Sequence, residues 1–345
     1  MEYMRLKDVR LAEYVNQRIY LVFAASNVQV KTQKDGNTMF IQLQMIDGDA
    51  NVEARLFGAT PSCIELVKEG RVYEAAIDVR PYKNSISCVI YNIQTSNLPL
   101  DEFRDWAPNM EWAGKIINNT LNDIANTIYG RIAGELVCTN WHRFCHSPAA
   151  SSHHHSQLGG LFCHTAEVIE TSRILAELYS DLYPTVEINR QLLYSAALLH
   201  DIGKLEEYSF NMLGKAEYTI EGALQHHIYI GASMIECKAY ELMIGRQTYI
   251  INEANEREPI KSEEQLSIEK TELMLLKHCI LSHHGKKEWG SPVTPSILEA
   301  YILHQADNTS AKTNEIITRM KNIEPGGMER KWDGGDYSTI YKPDI

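Results

Sequence analysis

The feature that most limits how this chain can fold is a change in hydrophobic period near residue 95. Before that point apolar residues recur at every second position. Ile41, Leu43 and Met45 alternate with Phe40, Gln42 and Gln44, and Val52, Ala54 and Leu56 alternate with Glu53, Arg55 and Phe57. Side chains spaced by two share one face of a strand, so the two runs predict a hairpin turning at Asp47-Gly48-Asp49 with one face buried. Residues 19–31, 72–80 and 85–93 read as further strands, and 62–68 as a short helix. Beyond Pro99 and Pro108 the period becomes helical to the end, predicting helices over 110–129, 132–144, 161–179, 189–200, 222–243, 268–284 and 295–320. The polar stretch 245–270 reads as a solvated insertion.

Five strands with a short helix between the third and fourth is the element order of an OB-fold, a small Greek-key barrel. The expected fold class is therefore multidomain α and β, an N-terminal OB-fold barrel followed by an all-α bundle. On such a barrel Phe40, Arg55 and Phe57 would face outward, with Arg80, Tyr82 and Lys83 nearby. Aromatic rings beside cations suit the bases and phosphates of single-stranded RNA or DNA.

Charge and histidine divide the chain at the same place. Residues 1–100 carry 11 basic and 11 acidic side chains and the remainder 22 and 34, so the net charge of −12 belongs to the second part. A neutral first part can still meet a polyanion. All 13 histidines lie from His142 to His304. The seven cysteines are scattered and never spaced C-x-x-C, which argues against a disulfide framework or a zinc ribbon. No run of about 18 apolar residues occurs, and the first residues lack the apolar core of a signal peptide. A cytoplasmic protein that neither spans nor anchors in a membrane is expected.

The histidines sit where ionisable groups are costly. His200-Asp201 ends the apolar run Leu192-Leu193-Tyr194-Ser195-Ala196-Ala197-Leu198-Leu199, and burying such a pair without a partner is unfavourable. His164 follows Gly159-Gly160-Leu161, His227 shares a face with Ile230 and Met234, and His283-His284 closes the helix containing Leu276 and Ile280. Asp307 shares its face with Ala300, Leu303 and Ala311. Each taken singly could be an ordinary core or helix-end residue. Together they place five histidines and two aspartates on five successive helices, where a metal is the simplest common partner.

The order H…HD…H…HH…D, centred on His200-Asp201-Ile202-Gly203-Lys204, resembles the HD-domain metal phosphohydrolases. Within that superfamily the chain is most similar to the YhaM-type 3′-5′ exoribonucleases, which join an OB-fold to an HD domain. The matching stretches include His154-His155, Gly159-Gly160-Leu161 with His164-Thr165, His227-Ile228-Tyr229-Ile230-Gly231, Ile280-Leu281-Ser282-His283-His284-Gly285, Glu288-Trp289-Gly290-Ser291-Pro292 and Ala306-Asp307-Asn308. The division this implies is an OB-fold domain over 1–97, a helical linker and first catalytic-domain helices over 98–150, the HD domain over 151–322 and a tail over 323–345. The stretch 245–270 is longer than the resemblance leads one to expect, and a GYP motif of cyclic-di-GMP phosphodiesterases is absent.

The resemblance implies a hydrolase in which His164, His200, Asp201 and Asp307 hold one divalent ion. Asp201 bridges to a second held by His227 and His283, with His284 completing that site or touching substrate. Imidazole and carboxylate ligands favour Mn²⁺, with Fe, Co²⁺, Ni²⁺ or Mg²⁺ as alternatives. Two such ions would activate a bridging water at a phosphodiester phosphorus. Lys204 would donate to a phosphate oxygen, and His154 and His155 would line the substrate channel or support the ligands. Two other readings remain open at this stage: a nucleotide or cyclic-nucleotide phosphohydrolase, and a non-catalytic single-strand-binding protein with structural metals. Assembly as a homo-oligomer is also left open.

Overall fold

The alternating runs close on themselves. In the computed structural model, which describes residues 3–82, 85–150, 157–253, 255–321, 323–333 and 336–344, Lys83, His154 and His155 fall outside the described positions. The short strand β1 (Met4–Arg5) runs parallel to the start of β2 (Arg18–Thr32). There follow β3 (Met39–Asp47), β4 (Ala50–Phe57), α1 (Pro61–Leu66), β5 (Val72–Tyr82) and β6 (Ser85–Thr95). The barrel order is β2-β3-β4-β6-β5, and β5 pairs back onto β2, so no edge of the main sheet is left open. The β4–β6 contact is parallel, and the other barrel pairings are antiparallel. This is OB-fold topology, with the short helix between the third and fourth barrel strands as expected.

Period two explains the filling. Ile41, Leu43 and Met45 of β3, Ala54 of β4 and Phe23 of β2 are buried inward, while Phe57 points out. Asp47 and Ala50 face each other across a tight turn in which Gly48 takes a φ of +63°. At α1, Thr60 accepts a hydrogen bond from the Cys63 amide and Pro61 occupies the first turn, both favourable at a helix start.

The rest is helical: α2 (Met110–Ile124), α3 (Ile128–Thr139), α4 (Trp141–His146), α5 (Gly160–Leu182), α6 (Arg190–Leu199) and α7 (Lys204–Glu207). A hairpin, β7 (Tyr208–Phe210) and β8 (Ala216–Tyr218), precedes α8 (Ile220–Glu241). Then come β9 (Tyr249–Ile251), β10 (Arg257–Pro259), α9 (Glu263–Ser282), α10 (Leu298–Lys321), β11 (Met328–Asp333) and β12 (Asp336–Tyr341). Two compact units result: Met1–Trp106 with Asn211–Gly214, and Ala107–Phe210 with Lys215–Ile345. In the second, α5 packs against α2, α6 and α10, and Leu192, Leu193, Ala196, Ala197 and Leu199 of α6 are buried. Among the described residues no helix is long and apolar enough to cross a membrane.

Three expectations are corrected. The helix expected over 110–129 is two helices. A Cβ at Gly130 would lie 1.9 Å from the Ile124 carbonyl oxygen, so only glycine allows that corner, and Thr127 caps α3 through the Gly130 amide. The helix expected over 132–144 divides at Asn140, whose side-chain amide donates to the Leu136 carbonyl. The stretch 245–270, expected as a solvated insertion, is largely exposed but carries structure of its own. It forms the β9–β10 hairpin, and a capping box between Ser262 and Gln265 starts α9 at Glu263, earlier than its apolar pattern suggests.

Candidate metal centre and substrate groove

Helix ends bring the ionisable groups together. α6 runs into His200-Asp201, and the turn through Ile202-Gly203 leads at once into α7. A Cβ at Gly203 would lie 2.1 Å from the His227 carbonyl oxygen, and one at Gly222 would lie 2.2 Å from the Glu207 carbonyl oxygen. Glycine at both places lets α7 lie directly against α8. α5 supplies His164 from its first turns, α9 ends at His283-His284, and α10 carries Asp307.

Asp201 stands at the middle. Its Oδ2 lies 3.5 Å from His164 Nε2, 3.3 Å from His200 Nε2 and 2.7 Å from Lys204 Nζ. Asp307 Oδ1 closes this group, 3.2 Å from His164 Nε2 and 4.0 Å from His200 Nε2. The other oxygen, Oδ1, faces His227 Nε2 at 3.4 Å and His283 Nε2 at 3.7 Å. His284 joins that second group, its ligand atom within 4.8 Å of those of His227 and His283.

Hydrogen bonds orient each ring. Nδ1 of His200 donates to the Ala197 carbonyl at 2.8 Å, that of His283 to Ile280 at 2.7 Å and that of His284 to Trp289 at 2.7 Å. His227 Nδ1 is held by Glu207 Oε2 at 3.0 Å, and Glu207 Oε1 accepts from the His227 amide. His164 Nδ1 lies 2.9 Å from Ser310 Oγ, which donates to Glu167 Oε2. An imidazole that donates through Nδ1 offers its Nε2 lone pair to a metal, and a carboxylate behind it raises ligand basicity.

The decisive observation is what the inner atoms lack. Asp201 Oδ1, His227 Nε2 and His283 Nε2 are buried and meet no hydrogen-bond partner among the described residues. Three acceptors turned toward one another in a buried space repel unless a cation lies among them. The donor set, imidazole nitrogens with carboxylate oxygens, fits a divalent transition ion.

Titration properties agree. Burial opposes charge on Asp201 and Asp307, yet Lys204 and His200 hold the Asp201 carboxyl well below its usual range, and the bond with His164 does the same for Asp307. Burial, then the neighbouring His284, pushes His283 well below its usual value, leaving a neutral ligand. Burial also favours neutral His164, but hydrogen bonds with Asp201 and Asp307 overcome it and raise this group to about 9 in the chain alone. Lys204 is raised because Asp201 outweighs its burial, so it remains a cation.

Two cavities flank the centre and share His284 and Trp289 as a wall. One, about 470 Å³, is lined by Asp201, Lys204, His304, Asp307 and Asn308. The other, about 370 Å³, is lined by His226, His227, Tyr229, Leu281 and Pro292. A third of about 610 Å³ between α8 and α9 has none of the candidate ligands in its walls.

On the barrel, the rings of Phe40 and Phe57 stack 5.5 Å apart, and Phe57 is 47% exposed. Arg55 on the same strand pairs with Glu53 at 2.7 Å, Arg80 pairs with Asp78 at 3.2 Å, and Tyr82 is exposed. Sequence reasoning gave no role to Glu207, Ser310 or His304, although Ile302-Leu303-His304 is among the stretches that carry the resemblance. Glu207 lies on a four-residue helix too short to show a period. His304 and Ser310 lie three residues on either side of Asp307, a helical spacing that could have revealed both.

Known proteins resemble the chain over nearly its whole length. The HD domain family matches residues 161–312. The 3′-5′ exoribonuclease YhaM of Listeria welshimeri is 32% identical over 345 residues, covering 98% of each chain. The enzyme of the same name from Bacillus subtilis is 30% identical over 309 residues, covering 88% of each. Given that identity over nearly its whole length, the chain belongs to the YhaM family of exoribonucleases.

Proposed function

We propose that this protein is a metal-dependent phosphodiesterase that removes nucleotides successively from the 3′ end of single-stranded RNA. The observation that carries the proposal is the division of labour at Asp201, one oxygen turned to His164, His200 and Lys204, the other to His227 and His283. One divalent ion would be held by His164, His200, Asp201 and Asp307, and a second by Asp201, His227, His283 and His284. When bound, such ions lower the pKa of a water at phosphorus and neutralise charge on the departing oxygen. Manganese suits the mixed imidazole and carboxylate set best.

The chain's own groups do the rest. Asp201 keeps the two ligand groups in register. Lys204, a buried cation on the wall of the 470 Å³ cavity, donates to a non-bridging phosphate oxygen as charge builds there. Glu207 and the Ser310–Glu167 pair fix the rings of His227 and His164. On the barrel, Phe40 and Phe57 stack bases while Arg55, Arg80 and Tyr82 supply cation and ring contacts to the strand, a capture surface suited to single strands. All seven cysteines are free thiols, which suits a reducing, cytoplasmic setting.

The test is incubation of 5′-labelled single-stranded RNA with Mn²⁺, with and without chelator, resolved on a sequencing gel. A ladder that shortens from the 3′ end and vanishes with chelator is expected. Internal fragments at early times, or full activity in chelator, would contradict the reading.

A further inference from the structure

His304 has no role in holding the ions, yet its ring is among the most constrained in the site. It lies on α10 one turn before Asp307, is 9% exposed, and its Nδ1 donates to the His283 carbonyl at 2.9 Å. A carbonyl only accepts, so Nδ1 carries a hydrogen, and the tautomer this contact selects presents its lone pair at Nε2. Gly285 closes over this ring. A Cβ there would lie 2.3 Å from Cε1 and 2.4 Å from Nε2, and Gly285 has a φ of +78°, which an L side chain resists. Trp289 packs nearby, with ring centroids 6.1 Å apart. The result is a fixed hydrogen-bond acceptor in the wall of the 470 Å³ cavity, beside Lys204, Asp307 and Asn308.

An acceptor is the wrong group for a phosphate, whose oxygens only accept. The surrounding cavity already has Lys204 as a donor for them. The donors that a nucleic-acid strand carries are base N–H groups and sugar hydroxyls. An enzyme that removes nucleotides in succession meets every base, and base donors differ from one to the next. Sugar hydroxyls recur at every step. Three residues of α10 separate His304 from Asp307, about 4.5 Å along the axis, so the group that His304 meets adjoins the phosphate being cut.

We infer that His304 accepts a hydrogen bond from a sugar hydroxyl on one of the two nucleotides joined at the scissile phosphate. The inference rests on the exoribonuclease reading. His304 is a specificity residue whose contact is with the substrate's sugar, and three hydroxyls can supply it: the terminal 2′, the terminal 3′ and the penultimate 2′.

The experiment uses the full-length Mn²⁺-loaded protein and four 5′-labelled oligonucleotides, one all-ribose and three lacking one of these hydroxyls each. kcat/KM for removal of the first nucleotide is compared among the wild type, His304→Ala and His304→Gln, with metal content measured for each. In the wild type one deoxy substitution should lower kcat/KM about tenfold, the size of one hydrogen bond left unmade. His304→Ala should retain its metal and treat the all-ribose and that deoxy substrate alike. His304→Gln, which keeps an acceptor, should recover part of the discrimination. Wild-type indifference to all three hydroxyls, or an equal slowing of every substrate in His304→Ala, overturns the inference and leaves the exonuclease reading standing. A wild type that binds Mn²⁺ and shortens none of the four overturns both.

Discussion

The barrel and the helical unit each bury an aspartate, and they treat it in opposite ways. Asp47 is fully buried in the barrel, with Arg5 Nη2 at 2.5 Å, Arg5 Nε at 3.0 Å and the Lys7 amide at 3.2 Å. Both oxygens have protein partners. Asp201 is also buried in the helical unit, yet among the described residues Oδ1 has none and faces two imidazole nitrogens equally without partners. A charge buried for structure is satisfied by the chain itself, whereas one buried for chemistry is left to be satisfied from outside.

Paired substitutions at these two residues can break the comparison most sharply. Asp201→Ala should abolish turnover, by about a thousandfold or more, together with metal binding, because it removes an oxygen from each ion site. Asp47→Ala should leave metal content unchanged and cost about 1–3 kcal/mol of stability by removing the buried acceptor shared by Arg5 and the Lys7 amide, Arg5 keeping Glu102. Metal analysis and denaturant melts of both variants would show it. Metal loss in Asp47→Ala, or full metal in Asp201→Ala, would erase the distinction.

Smaller effects sharpen it. Glu207→Gln keeps His227 but weakens the carboxylate behind it, so Mn²⁺ titration should show one ion bound about 10–100-fold more weakly and the other unchanged. In the metal-free chain the His164 proton must leave before an ion enters. With that group raised to about 9, Mn²⁺ affinity should rise by about tenfold per pH unit from neutrality and level off above about 9. The same proton stabilises the metal-free fold fully below the ordinary value of 6.5, and that contribution is lost as pH rises through about 9, a trend that melts in chelator would reveal. Phe57→Ala should weaken binding of long single strands by about 1–3 kcal/mol, the worth of one stacked base, and spare hydrolysis of a small phosphodiester.

How legible this was differs between the two regions as well. The barrel could be read because period two fixes which face of each strand turns inward, and Ile41, Leu43 and Met45 fall inside as their alternation requires. The candidate ligands could be picked out as a set because so many histidines and aspartates at the ends of apolar helices are costly to bury without a common partner. What escaped were groups defined by contact alone. Glu207 reaches His227 only because Gly203 and Gly222 allow two helices to touch, and the break in α8 at His226, with a φ of 60°, interrupts a run that sequence reads as continuous. The β7–β8 hairpin escaped too, its three-residue strands being too short to display a period, and β11–β12 escaped because Met328–Asp333 is mostly polar and shows no clean alternation.

The most direct test of the account is a crystal of the Mn²⁺-loaded protein examined by anomalous diffraction at the manganese edge. The account predicts two peaks bridged by Asp201, one beside His164, His200 and Asp307, the other beside His227, His283 and His284. A single peak, or two peaks that share no oxygen of Asp201, would contradict it.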